Sequence, residues 1–154
     1  MTRTDSASRV VGADVQRVFA ALVDEAALTE WLPPQGMTGR FEHFDARPGG
    51  SYRLVLTYTD PSAGAGKTTS ESDVVEVRFV EIVPDARVVQ SVDFVSDDPS
   101  FSGTMMMTWE LAADGDGTRV TIRAENVPPG ISRQDHEIGL NASLAQLETF
   151  LDQP

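Results

Sequence analysis

Three short stretches and two histidines are where this sequence could do chemistry. The first stretch is GAGKTT, Gly64 to Thr69. Its Gly66-Lys67-Thr68 matches the end of a phosphate-binding loop, in which Gly, four residues and Gly-Lys-Ser/Thr cradle a phosphate in backbone amides. The first glycine of that motif would fall at position 61, which is Pro61. The loop must also open a helix whose N-terminal amides hold the phosphate. Here the next segment, SDVVEVRFVEI, alternates as a strand. The stretch therefore reads as a flexible hairpin loop, and nucleotide binding is not expected. The second stretch is DGDGT, Asp114 to Thr118, which imitates the start of a calcium loop, with Glu125 at its twelfth position. Thr118 stands where the fifth position wants a carboxylate or amide, and Arg119 where the sharp turn wants glycine. This is a turn between strands. The third, Asn141-Ala142-Ser143, matches a glycosylation sequon but falls in the middle of an expected helix, and is discounted.

The imidazoles are His43, in a strand pattern, and His136, in the first turn of the last expected helix, one turn before Leu140. No spacing suggests that they share a metal, and no Gly-x-Ser-x-Gly elbow occurs. The chain has no cysteine, which excludes disulfides, thiolate catalysis and thiolate metal sites. Neither cofactor nor metal is expected. Two readings stand for each histidine. It is a satisfied or exposed side chain, or it is a polar tip inside a ligand pocket. In the second case a nearby carboxylate would make it a general acid or base.

The elements that must position these residues follow from period and punctuation. SRVVG, residues 8–12, reads as a strand. Asp14 can cap a helix in which Val15, Val18, Phe19 and Leu22 recur at helical spacing. EAALTEWLPP is a second short helix, stopped by Pro33 and Pro34. Six segments rich in Val, Thr, Tyr and Phe follow, each bounded by Gly, Pro or Asp, and short links make them antiparallel neighbours. Ser132 can cap a final helix whose Leu140, Leu144, Leu147 and Leu151 form one apolar stripe. A sheet needs a cover on its apolar face, and this helix is the long element available. The expected fold is α+β: a curved antiparallel sheet of about seven strands around a long C-terminal helix, with two short helices after the first strand. Residues 1–154 are expected to form a single domain.

The stretch TMMMTWEL puts Met105, Met107 and Trp109 on one strand face and Met106 on the other. Methionines make a soft, adaptable lining. Tyr52, Leu54, Leu56 and Tyr58 share a face of another strand, as do Val88, Gln90, Val92 and Phe94. These are plain core, or the wall of an apolar cavity with a few polar tips. The net charge of −12 opposes phosphate backbones and anionic lipid surfaces, so nucleic acid and membrane are not expected partners. The N-terminal residues lack the apolar run and cleavage site of a signal peptide, and a cytoplasmic location is expected.

Taken together, ADVQRVFAALVDEAALTEWLPP, FDARPGGSYRLVL, VEIVPDARVVQSVDF, GDGTRVTIRAENVP and HEIGLNASLAQLETFL resemble the START-like, SRPBCC superfamily of helix-grip proteins. The branch they are most similar to is named for the activator of a heat-shock protein ATPase. The hairpin Asp45-Ala46-Arg47-Pro48-Gly49-Gly50 and the strand end Glu81-Ile82-Val83-Pro84 are the most telling. Gly49 and Gly50 are expected to supply positive φ for a tight hairpin, Asp45 and Arg47 to pair across it, and Gly139 to let the helix approach the sheet closely. The resemblance implies a birch-pollen-allergen-like fold with an apolar cavity between sheet and helix. Different members use it for lipids, aromatic polyketides, hormones or chaperone contacts, without a universal catalytic set. Members usually carry Trp after the glycine, where this chain has Leu140.

The expected function is binding of a small hydrophobic or aromatic ligand, with Tyr52, Leu54, Phe94, Met105, Met107, Trp109, His136 and Leu140 as lining. One alternative is a stress-related interaction module with a chaperone partner. The other is a cyclase- or hydrolase-like enzyme that uses His136 or His43 with a carboxylate.

Overall fold

The computed structural model describes residues 3–33, 36–58, 72–94 and 104–152. The Gly64–Thr69 stretch lies outside them. The chain runs β1 (Thr4–Val11), α1 (Val15–Val23), α2 (Glu25–Trp31), β2 (Met37–Phe44), β3 (Ser51–Tyr58), β4 (Ser72–Val83), β5 (Arg87–Phe94), β6 (Thr104–Asp114), β7 (Gly117–Glu125) and α3 (Arg133–Leu151). The strands form one antiparallel sheet in the order β1-β7-β6-β5-β4-β3-β2. From β2 to β7 this is a meander, and β1 closes beside the last strand. With α3 across the sheet, this is the expected α+β helix-grip fold.

Local chemistry accounts for the element ends. Asp14 and Asp24 accept hydrogen bonds from the first-turn amides of α1 and α2, and Ser132 does the same for α3. At the β2–β3 hairpin Gly49 has φ +84°, a conformation that favours glycine. Gly50 does not need positive φ. A Cβ there would meet the Asp45 carbonyl oxygen at 2.2 Å, so its smallness is what the turn uses. Asp45 and Arg47 pair at 2.7 Å as expected. The DGDG stretch is the two-residue turn between β6 and β7, with Gly115 at φ +60°.

Curvature comes from two register shifts, at Phe41–His43 in β2 and Phe79–Glu81 in β4. Such bulges bend a strand and increase its twist. The concave face collects the core, including Val11, Val88, Val120 and Ile122 from the sheet, Val18 and Leu22 from α1, and Leu144 and Leu147 from α3. Gln146 ties α3 to the end of α2 by donating to the carbonyls of Trp31 and Pro33, at 2.7 and 3.0 Å. The outer face carries exposed ion pairs such as Arg53–Glu42 and Arg123–Glu110. Among the described residues no helix is long and apolar enough to cross a membrane.

Candidate functional site

The strand alternation that builds the core also leaves a space in it. A cavity of about 520 Å³ lies between the concave face and the N-terminal half of α3. That volume falls within the usual range for small-molecule sites, roughly 300–1,000 Å³. Tyr52 and Leu54 reach it from β3, and Met105, Met107 and Trp109 from β6. His136 and Leu140 roof it from α3. The eighth expected lining residue, Phe94, ends β5 opposite Val75, and its side chain lies outside the described residues.

Further residues line the cavity, of which Gln90 and Val92 lie on a strand face offered as a possible wall and the others were not expected. Gln90 and Val92 enter from β5, Leu28 and Trp31 from α2, and Ile131, Asp135, Gly139 and Ser143 from the loop before α3 and from α3 itself. Gly139 corrects an expectation. A Cβ there would meet nothing within 4 Å, so this glycine borders open space and does not serve close helix–sheet contact.

Besides Asp135 and Ser143 on α3, the polar groups of the cavity fall into two stations. On the sheet side, the Tyr52 phenol is buried with Gln90. Burial pushes its pKa well up, against an opposing hydrogen bond with Gln90, so the phenol stays protonated. On the helix side, His136 is nearly buried, and its Nδ1 lies 2.8 Å from Asp5 Oδ2. Asp5 is 2% exposed. Arg3 binds the same carboxylate oxygen at 3.0 Å, and Arg133 Nε stands 3.4 Å from the other oxygen. Burial opposes ionisation of Asp5. Hydrogen bonds from His136 and Arg3, with the Arg3 and His136 charges, outweigh it and hold the carboxyl below its ordinary value of 3.8. An ionised carboxylate only accepts hydrogen bonds, so the proton between the pair belongs to Nδ1. The polar atom of the ring that remains is Nε2.

Sheet register puts the stations in line. Gln90, Met107, Ala124 and Asp5 are successive cross-strand neighbours from β5 to β1. Three strand spacings separate the ends, about 14 Å along the sheet. Between them lie a flexible thioether and a methyl group.

The other histidine is elsewhere. His43 is on the outer face, with Nε2 3.2 Å from the exposed Ser51 hydroxyl. Of the two imidazoles, His136 therefore has the carboxylate. That carboxylate, Asp5, was missed because the first strand was expected to start at Ser8. The available signal was parity: counting inward-facing positions back from Val11 gives Arg9, Ala7 and Asp5. Among the described residues, no group of three or more His, Cys, Asp or Glu side chains is placed to hold a metal.

The family model described as Activator of Hsp90 ATPase homolog 1-like protein matches residues 12–152. No curated protein matches the chain. Among solved structures, a Chromobacterium violaceum protein is 29% identical with a TM-score of 0.85, covering 98% of each chain. A Rhizobium loti protein is 26% identical with a TM-score of 0.75, covering 97% of each. An Arthrobacter aurescens protein is 21% identical with a TM-score of 0.78, covering 98% of this chain and 87% of its own, a likeness of fold alone.

Proposed function

The chain belongs to the Activator of Hsp90 ATPase homolog 1-like family, and from that premise we propose that it binds a small hydrophobic or aromatic ligand between sheet and α3. The observation that carries this reading is the cavity of about 520 Å³, walled by Leu, Val, Met and Trp side chains and furnished with few polar tips. Apolar burial at about 25 cal/mol per Å² would drive association. The thioethers of Met105 and Met107 would let the wall adapt to the shape of the guest. The same premise supports a single-domain protein in which the pocket is the principal site.

The test is native mass spectrometry of the purified protein against its denatured mass. A reproducible extra mass that vanishes on denaturation is the expected result, and it would identify the ligand class. A clean apo mass, with no thermal stabilisation by fatty acids, aromatics or terpenoids, overturns the reading.

A second reading, an enzyme on this scaffold, is favoured by one observation, the His136–Asp5 pair at the cavity wall. This is the arrangement of a general acid or base oriented by a carboxylate. Replacing His136 with Ala separates the two. A binder loses affinity, about tenfold for 1.4 kcal/mol, whereas an enzyme loses turnover and still binds. The family's name also raises a chaperone contact. The exposed large apolar side chains Val10, Val80 and Ile138 lie on three different elements, so the pocket carries the stronger argument.

A further inference from the structure

The ligand-binding reading leaves open what the ligand's polar end must be, and the Asp5–His136 pair answers it. Asp5 is buried at the start of β1, ionised, and bound to His136 Nδ1. This bond fixes both the tautomer and the orientation of the ring. In its neutral form the imidazole then keeps its lone pair on Nε2. That lone pair belongs to a ring that lines the apolar cavity, and a guest that fills the cavity without offering a donor leaves it unpaired, at a cost. A carboxylate guest brings no proton to it. An ether or ketone guest also offers only acceptors. A hydroxyl supplies the missing proton, and a weakly acidic one binds best because the hydrogen bond strengthens as the proton is shared.

We infer that His136 Nε2 is the polar anchor of the pocket and selects apolar ligands that carry a weakly acidic hydroxyl group, with the body of the ligand lying over Met107 toward Gln90. The inference rests on the ligand-binding reading. Along the row from Asp5 to Gln90, Met107 and Gln90 line the cavity, and the flexible thioether of Met107 can adapt to a ring beside the anchor. The Tyr52–Gln90 station stands at the far end and is not the anchor. Tyr52 and Gln90 already bond to one another, so their polar capacity is partly used.

Two matched probes test this: para-hydroxybiphenyl and its methyl ether, which differ in one donor. Titration of the intact protein should give the hydroxyl form about tenfold tighter binding or better, the equivalent of one net hydrogen bond. His136→Asn is the informative variant. An Asn amide nitrogen can replace Nδ1 as the donor to Asp5, but nothing replaces Nε2. In it the preference should vanish while the ether binds as before. In Tyr52→Phe the preference should persist.

Equal affinity of the two probes for the native protein overturns the anchor and leaves the pocket standing. A preference that survives in His136→Asn, or is lost in Tyr52→Phe, moves the anchor to the sheet side and overturns the inference. Failure of both probes to bind counts against the pocket and the anchor together. Should His136→Asn not fold, the native protein still decides. The nitrogen resonance of His136 Nε2 should move on adding the hydroxyl probe and stay put with the ether, and no movement with either overturns the inference.

Discussion

The two halves of α3 do different work on one sheet. Toward its C-terminus, Leu144 and Leu147 have no exposure and Leu151 has 3%. Gln146 binds the end of α2, and Glu148 pairs with Arg9 of β1 at 2.9 Å. None of these side chains lines the cavity. Toward the N-terminus only Leu140 of the stripe touches the sheet side, and beside it Gly139 faces open space. Polar groups hold this end: Asp5, Arg3, Arg133 and His136. The helix is clamped at one end by apolar packing and at the other by a buried carboxylate. A cavity can persist in a small domain when packing stability and site geometry are given to different turns of the same helix.

This division can be broken most directly at the clamp. Leu147→Ala removes a fully buried side chain. It should cost about 3–4 kcal/mol of stability, read from chemical denaturation. Ligand affinity of the folded fraction should hold, because Leu147 does not line the cavity. A small loss of stability, or a large loss of affinity, would mean that the halves are not separate.

The second test addresses the polar clamp. Asp5→Ala should cost about 2 kcal/mol. That is less than for fully buried pairs, since Arg3 and Arg133 are partly exposed and can turn to water. Its pH dependence has a definite sign. The folded-state pKa of Asp5 lies below its unfolded value, so its contribution is in place above the ordinary value of 3.8 and is lost as pH falls below it. The stability gap between the native protein and Asp5→Ala should therefore narrow in acid. A gap that stays constant across that range would show that the carboxylate charge is not what holds the helix end.

The sequence made the closed half legible and the open half only partly so. The Leu stripe, the Ser132 cap and strict strand alternation each follow one physical rule, and those rules point to one fold. The site departs from them. Asp5 sits in TDSAS, where the small Ala7 is the one apolar residue to advertise an inward face. Its strand was therefore expected to begin too late, and the partner of His136 was missed. The facing of His43 depends on the bulge at Phe41–His43, which no local residue pattern announces. Gly139 looked like a close-packing glycine because helical glycines often are. Open space beside it is a property of what stands across the sheet, and one segment does not contain that information.

Gly139 also supplies the smallest and sharpest test, because its expected effect has the opposite sign. Glycine in a helix interior is less favourable than alanine by about 1 kcal/mol, through backbone entropy in the unfolded chain. The backbone at Gly139 is helical, and a Cβ there meets nothing within 4 Å. Gly139→Ala should therefore raise stability by about 0.5–1 kcal/mol. A chain selected for stability alone would have taken that gain. If the open half exists to admit a ligand, the added methyl group narrows the cavity beside His136, and affinity for a bulky guest should fall as stability rises. Thermal melts of both proteins, with and without the hydroxyl probe, measure the two effects together. A stabilised variant that binds the probe unchanged would assign the glycine to neither packing nor binding. A destabilised variant would mean that the space beside Gly139 is filled in solution, and the contrast between the two halves of α3 would fail at the residue that defines it.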